Sequence, residues 1–223
     1  MQKELKSNIN SLNFKISEAS KVVCKNPNDI FLIAVSKKKS IEHIIKAQEL
    51  GINNFGENYA QELKSKAMYL DKNINWHYIG PLQTNKAKIV AKYADWIHTI
   101  DRKKIAEKIN DECKKINKVI SACIQINISK EPTKSGINPE DMLVFAKYVN
   151  SMENINLKGI MVLPSLGEKN RKQMQMSKLL HEELVSTFPD AKYLSMGTTN
   201  DFETAIVSGS NMIRVGELIF GKR

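Results

Sequence analysis

Two hydrophobic rhythms alternate along this chain. In residues 2–24, Leu5, Ile9, Leu12, Ile16, Ala19 and Val23 recur at spacings of three and four, which predicts an amphipathic helix. Residues 30–36 are instead a continuous run, Ile-Phe-Leu-Ile-Ala-Val-Ser, of the kind found in strands buried on both faces of a parallel sheet. The helical rhythm returns over 41–50 and stops at Gly51, a C-terminal helix signal. A short strand at 53–55 precedes a helix over 59–70. A strand at 75–79 is broken by Gly80-Pro81 and followed by a helix over 85–93. Strand 96–100 leads to a helix reaching about 116, for which Asp101 is a candidate cap.

The second half keeps the same order. Residues 119–128 read as the longest strand, and a loop containing Pro132 and Gly136 leads to a helix over 139–152 with proline in its first turn. Strand 157–163 is closed by Pro164, and residues 169–187 form a long helix. After strand 193–196, Asn200 and Glu203 have capping-box spacing for a short helix that ends at Gly209. Strand 212–215 comes last, and the chain stops soon after Phe220-Gly221. Eight strands alternating with helices give the (β/α)8 count. A doubly wound open sheet would rarely fit eight strands into 223 residues. The expectation is therefore an α/β TIM barrel in a single domain, residues 1–223, with an extra N-terminal helix; no linker or repeat divides it.

Composition narrows the function. The net charge of +10 is compatible with a nucleic-acid partner, but the lysines are dispersed along helices, with no zinc motif, RNA-binding aromatic motif or arginine block. Acidic small molecules fit the charge equally well, and no nucleic-acid role is expected. No apolar stretch approaches a membrane span of about 18 residues, and the amino terminus has no signal-like apolar core. Cys24, Cys113 and Cys123 are an odd number without metal spacing, which fits reduced thiols in a cytoplasmic protein. His43, His98 and His181 have no metal partners at ligand spacing, so no metal is assigned. His77, inside Trp76-His77-Tyr78, reads as a packed or hydrogen-bonded histidine, and Met174 and Met176 as helix packing.

The candidate chemistry starts at Lys37, just past the carboxyl end of the first strand, where α/β sheets place ligands. Partial desolvation and the neighbouring charges of Lys38 and Lys39 favour the neutral, nucleophilic amine that Schiff-base lysines require; a solvated lysine closing a strand is the plainer reading. If the sheet closes, Lys37 lies beside the ends of strands seven and eight. Ser195-Met196-Gly197-Thr198-Thr199-Asn200-Asp201 is a small-residue turn entering a helix, which suits a phosphate or merely caps the helix. Arg214 interrupts the apolar Met212-Ile213-Arg214-Val215, and there it must meet a carboxylate, a carbonyl or a ligand atom. Pyridoxal 5′-phosphate matches these three features: an amine for its aldehyde, a group facing its ring nitrogen, and a phosphate cradle.

The same residues fall in recognisable motifs. Ala34-Val35-Ser36-Lys37, Phe55-Gly56-Glu57-Asn58-Tyr59, Trp76-His77-Tyr78-Ile79-Gly80-Pro81-Leu82-Gln83, Ser195-Met196-Gly197, and Ile213-Arg214-Val215-Gly216 with Ile219-Phe220-Gly221 appear in order. Together they resemble the YggS/PROSC family of pyridoxal phosphate homeostasis proteins over nearly the full length. The resemblance implies a barrel of the alanine racemase N-terminal type. It also implies a covalent aldimine on Lys37, Arg214 facing the pyridine nitrogen, and a phosphate held around Ser195, Gly197, Thr199 and Gly216. Thr199 stands where the family commonly has serine, and Glu217 where it often has a small hydroxyl residue. A carboxylate would repel a phosphate, so Glu217 is expected to point away and offer its backbone N–H. Asn58 is a candidate for the cofactor ring or its 3′-oxygen, with a simple turn asparagine as the alternative. Lys134 is a second amine at the mouth, for a substrate or second phosphate, or a solvated loop lysine.

An arginine at the pyridine nitrogen weakens the electron sink, and the chain ends at Arg223 without the second domain that supplies a racemase's tyrosine. The expected role is intracellular buffering and delivery of pyridoxal phosphate by a monomer with little or no turnover, through transient contact with pyridoxal phosphate-dependent apoenzymes. Two other readings use the same lysine: an amino-acid racemase and a cofactor-independent Schiff-base aldolase.

Overall fold

Strands that are apolar on both faces must be covered on both, and a ring of parallel strands inside a ring of helices does this without leaving a sheet edge. The computed structural model describes residues 2–70, 73–131 and 134–221. Within them, β1 (Phe31–Val35), β2 (Asn54–Glu57), β3 (Asn75–Tyr78), β4 (Trp96–Ile100), β5 (Ile120–Ile126), β6 (Ile155–Val162), β7 (Tyr193–Ser195) and β8 (Met212–Val215) form a closed barrel in chain order. The helices between them are α2 (Ile41–Glu49), α3 (Ala60–Tyr69), α4 (Ala87–Tyr93), α5 (Lys103–Lys114), α6 (Met142–Asn150), α7 (Asn170–Thr187) and α8 (Phe202–Val207). The helix α1 (Gln2–Val22) precedes the barrel, and the single turn α9 (Glu217–Phe220) follows it. The barrel closes where β1 pairs with β8, Ile33 opposite Arg214 and Ala34 opposite Val215.

Strand alternation divides the buried residues between two environments. Outward-facing residues such as Ala34, Phe55, Ile97 and Ile213 join the helices in one continuous apolar layer, which also takes in Leu5, Ile9, Leu12 and Ile16 of α1. Inside the barrel, Phe31, His77, Trp96 and Tyr193 interlock. His77 stacks on Trp96 with ring centroids 5.5 Å apart, and Tyr193 meets Trp96 edge-on at 5.3 Å.

Several boundaries depart from the sequence expectation for identifiable reasons. β2 runs two residues beyond 55, because Glu57 finds a buried lysine partner on α3. β6 begins two residues before 157, with a bulge at Lys158: Ala122 pairs with Leu157, but Cys123 pairs with Gly159. Asp101 does not cap α5; Arg102 occupies the cap, and the Asp101 carboxylate accepts from its guanidinium at 2.5 Å. The Asn200–Glu203 capping box does not form either. Asp201 is the cap residue of α8, and its Oδ1 turns back to accept from the Thr198 N–H at 2.7 Å and the Thr198 hydroxyl at 3.0 Å. The turn α9 is too short to show a helical rhythm. Pro132, expected in the loop after strand five, lies outside the described residues.

The close approach of β6 and β7 depends on a missing side chain. A Cβ on Gly159 would stand 1.8 Å from the Tyr193 carbonyl oxygen. Gly159→Ala should therefore destabilise the barrel by about 1–3 kcal/mol or more, the usual cost of overpacking. Gly167→Ala, in open space, should cost less. Urea midpoints for the two variants check this; equal midpoints would mean β6 and β7 can separate without loss.

Candidate functional site

Because β8 lies against β1, the residues that follow the two strands share one cleft. A cavity of about 330 Å³ opens at the carboxyl ends of the strands, lined by Val35, Lys37, Lys39, Asn58, Ile79, Leu163, Thr198, Thr199, Asn200, Arg214, Gly216, Glu217 and Gly221. Of the residues singled out from sequence, Lys37, Asn58, Thr199, Arg214, Gly216 and Glu217 are brought together here. Glu217 is exposed, on the rim. Ser195 and Gly197 lie behind this lining. A larger cavity of about 650 Å³ opens at the opposite mouth, between α1 and the strand starts. It lacks the arginine and the converging loops, and it sits at the end of the barrel where this architecture does not place ligands.

Two short helices start at the cleft. Neither Asp201, the cap of α8, nor Gly216, the cap of α9, makes a side-chain cap bond to its helix. The Gly216 N–H donates weakly to Thr199 Oγ1 at 3.4 Å, linking the two loops. Gly197 has a left-handed φ of +99°, and a Cβ there would lie 2.6 Å from the Ala205 Cβ. It lets α8 pack closely beneath the loop. Asn58 adds an amide whose Oδ1 is buried and has no partner among the described residues.

Arg214 points into the barrel and is 5 % exposed. No carboxylate among the described residues forms an ion pair with it. Its Nη1 donates to Ser195 Oγ at 2.6 Å and its Nη2 to the Val162 carbonyl at 3.0 Å. Burial pulls its pKa down to about 10, so it remains a cation at neutral pH. Ser195 Oγ is also 3.0 Å from His98 Nδ1, His98 Nε2 is 3.0 Å from His77 Nδ1, and His77 Nε2 is 3.4 Å from Asn54 Oδ1. An amide oxygen only accepts, so with both imidazoles neutral the chain of bonds has one sense, from Arg214 to Asn54. Ser195 accepts from Arg214 and donates to His98. His98 is then the Nε2–H tautomer and donates to His77, which donates to Asn54. Sequence reading set His98 aside once a metal was excluded. Its signal was a polar residue on the inward side of β4, two positions beyond Trp96, which lies opposite His77 in the register.

A second buried network lies behind Lys37. Lys66 of α3 and Glu57 of β2 form an ion pair at 2.7 Å, with side-chain exposures of 5 % and 0 %. Burial raises the Glu57 pKa to about 7, against the opposing pull of Lys66 and the Ser36 hydroxyl. Sequence reading missed this pair, since a carboxylate at a strand end and a lysine nine residues later resemble ordinary surface charges. Lys134 lies in an adjoining cavity of about 290 Å³ that shares Asn58, Ile79 and Leu163 with the first. Its Nζ is 3.0 Å from Glu131 Oε1 and 3.2 Å from Ser165 Oγ. Among the described residues no cluster of three His, Cys, Asp or Glu side chains could hold a metal ion, and no helix is long and apolar enough to cross a membrane.

Residues 8–223 match the family model described as alanine racemase, N-terminal domain. The chain is also 40 % identical to the pyridoxal phosphate homeostasis protein of Haemophilus influenzae, over 98 % of this chain and 96 % of that one. The chain belongs to this family. Among solved structures, PipY of Synechococcus elongatus with PLP bound superposes with a TM-score of 0.80 at 29 % identity, over 92 % of this chain and 100 % of that one. An alanine racemase from Clostridium difficile shares the fold, with a TM-score of 0.79 at 17 % identity, over 99 % of this chain and 57 % of the racemase. The barrel is therefore of the alanine racemase N-terminal type, preceded by the helix α1.

The histidine chain carries a pH signature. Burial holds His77 neutral down to about pH 3 and lowers the His98 pKa as well, with the neighbouring His77 and Arg214 adding to the effect. In the unfolded chain both take up a proton below about 6.5. With folded values depressed, their contribution to stability is complete above that value and is lost as the pH falls. As the pH falls from about 6.5 to about 4.5, His77 should cost up to about 1.4 kcal/mol per pH unit, and His98 should add to the loss. Urea unfolding of the wild type and of His77→Gln across this window checks it: the variant should show the shallower loss, and parallel slopes would mean His77 titrates in the fold.

Proposed function

We propose that this protein binds pyridoxal 5′-phosphate in the cleft at the carboxyl ends of the strands and holds and supplies it as part of cellular homeostasis of the cofactor. One observation carries the reading: the barrel brings Lys37, Arg214, Asn58 and the two helix-starting loops around a single cavity of about 330 Å³. The names of the family members in the comparisons and the PLP-bound PipY agree with it.

The residues fit the group. Thr199, Gly216 and the first backbone N–H groups of α8 and α9 would hold the phosphate, with the Glu217 side chain turned outward. Asn58 would meet the ring or its 3′-oxygen with its amide. Arg214, which donates and never accepts, would face the pyridine nitrogen and keep it unprotonated. Ser195, whose hydroxyl lies against Arg214 and His98, would orient Arg214 rather than hold the phosphate that the resemblance implies for it. Gly197 serves by leaving room for α8. When bound, the cofactor supplies an aldehyde, which the Lys37 amine converts to an imine (the aldimine) with release of water.

Catalysis is expected to be slight or absent. Racemisation needs proton delivery on both faces of a substrate, and general acid–base help on one face is worth about 10²–10⁴-fold. Beside Lys37, the ionisable groups on the described lining are Lys39, Arg214 and Glu217. The Lys39 amine is held by the Phe220 and Gly221 carbonyls, each at 3.1 Å. Arg214 remains protonated and Glu217 is on the rim. The protein would work as a cytoplasmic monomer that passes the cofactor to apoenzymes in transient contacts.

Three measurements test the reading. Borohydride reduction of the loaded protein followed by peptide mapping should place the phosphopyridoxyl group on Lys37; labelling mainly on Lys134 or on scattered lysines would overturn the assignment. Arg214→Ala should weaken cofactor binding by about 1–3 kcal/mol and change its absorbance, with circular dichroism confirming an intact fold. Chirality should stay almost unchanged when saturated protein is incubated with L-alanine and other amino acids. Turnover on the usual enzymatic scale of about 1–10³ per second would promote the racemase instead.

A further inference from the structure

Lys37 sits in a turn that is tied from behind on both sides. On one side the Lys66 ammonium donates to the Ser36 carbonyl at 2.7 Å, and the Ser36 hydroxyl donates to Glu57 Oε1 at 2.6 Å. On the other side the Lys38 N–H donates to Glu62 Oε1 at 2.5 Å. Lys66 joins the two halves, lying 2.7 Å from Glu57 Oε1 and 2.7 Å from Glu62 Oε1. Glu62 and Lys66 are one helical turn apart on α3, so one rigid element grips the peptide groups before and after Lys37.

The grip has a conformational purpose. Lys38 has φ +61°, in the left-handed region that a lysine rarely occupies; strained backbone of this kind persists only where surrounding bonds over-determine it. The charge-assisted bond from its N–H to Glu62 is such a bond. The Lys39 N–H closes the turn on the Ser36 carbonyl at 3.0 Å. Without the turn, the chain leaving β1 would continue extended, and Lys37 and Lys39 would point to the same face. That matters because Lys39 also lines the cleft, within reach of the same aldehyde.

Building on the reading of Lys37 as the attachment point, we propose that Glu62 and Lys66 are positioning residues that aim Lys37 at the cofactor and keep Lys39 from competing. The step they govern is balanced: the Lys37 nitrogen adds to the aldehyde carbon, two protons leave the nitrogen, and the carbonyl oxygen departs as water. Neither residue is on the lining of the cleft. They should therefore affect formation of the covalent bond and not recognition of the rest of the molecule.

The experiment separates the two with pyridoxine 5′-phosphate, which has the ring and phosphate but no aldehyde. Full-length Glu62→Ala should bind this probe as the wild type does. It should form the imine with pyridoxal 5′-phosphate at least about tenfold more slowly, as expected when a reacting group is misplaced. After borohydride trapping, part of its label should move from Lys37 to Lys39. Glu62→Gln keeps an acceptor oxygen for the Lys38 N–H and should recover most of the rate. Because Lys66→Met alone would leave Glu57 buried and unpaired, the double variant Glu57→Gln/Lys66→Met tests the other side of the grip without stranding a fully buried carboxylate. An unchanged rate and label position in both variants would overturn the proposal, and so would a parallel loss of probe binding. If the wild type itself is labelled on Lys39 or not at all, the reading of Lys37 fails instead.

Discussion

The pairing of β1 with β8 is the constraint on which the site depends. Lys37 follows the first strand of the barrel and Gly216 the last, nearly the whole chain apart, and only ring closure makes them neighbours. Ala34 opposite Val215 fixes the register. The contact then becomes so close that a Cβ on Gly216 would stand 3.0 Å from the Val35 carbonyl oxygen. Closure also places the starts of α8 and α9 on the same side of the mouth, so that the anion-attracting ends of two helices lie beside an amine and an arginine. A slip of one residue would turn Arg214 out among the helices and an isoleucine into the barrel.

Two buried polar systems meet at this point, and they handle charge differently. Arg214 keeps its charge inside the barrel on a hydroxyl and a carbonyl and stands at the head of a file of neutral groups. Glu57 and Lys66, on the outer face of the sheet, pair opposite charges. A buried pair of that kind gives little net stability, since desolvation offsets the attraction, and breaking it by removing one member is costly. Retaining it behind Lys37 is better understood as a fixed geometry than as a gain in stability. The inner file likewise holds Arg214 at a set height, because each member can satisfy its neighbour in only one orientation.

Much of the architecture was legible in the sequence. Apolar runs such as Ile30 to Val35 and helical spacing such as that of α1 answer directly to burial. The count of eight strands followed from them, and closure followed from the count. The cleft residues Lys37, Thr199, Arg214 and Gly216 could be read because they stand at strand ends, where the barrel places its loops. What could not be read depended on the third dimension. Ser195 has the same local sequence whether its hydroxyl meets a phosphate or an arginine; its contact with Arg214 depends on its inward position on β7, next to β8 and across the barrel from His98 of β4. The Glu57–Lys66 pair joins a strand to a helix across an interface that no linear spacing marks. Asp101 and Asn200 looked like caps, and each lost that part to a neighbouring residue.

The end of α9 is held almost entirely by side chains from the opposite end of the chain. Asn8 of α1 donates to the Ile219 carbonyl at 3.1 Å, and the Lys39 amine takes the two carbonyls that follow. Three successive acceptors at the lip of the cleft are thus occupied by donors from the first forty residues. The lip is in this sense a tailored seam: its shape is written in the N-terminal segment, and Asn8, which is not on the cleft lining, helps to set it from the first helix.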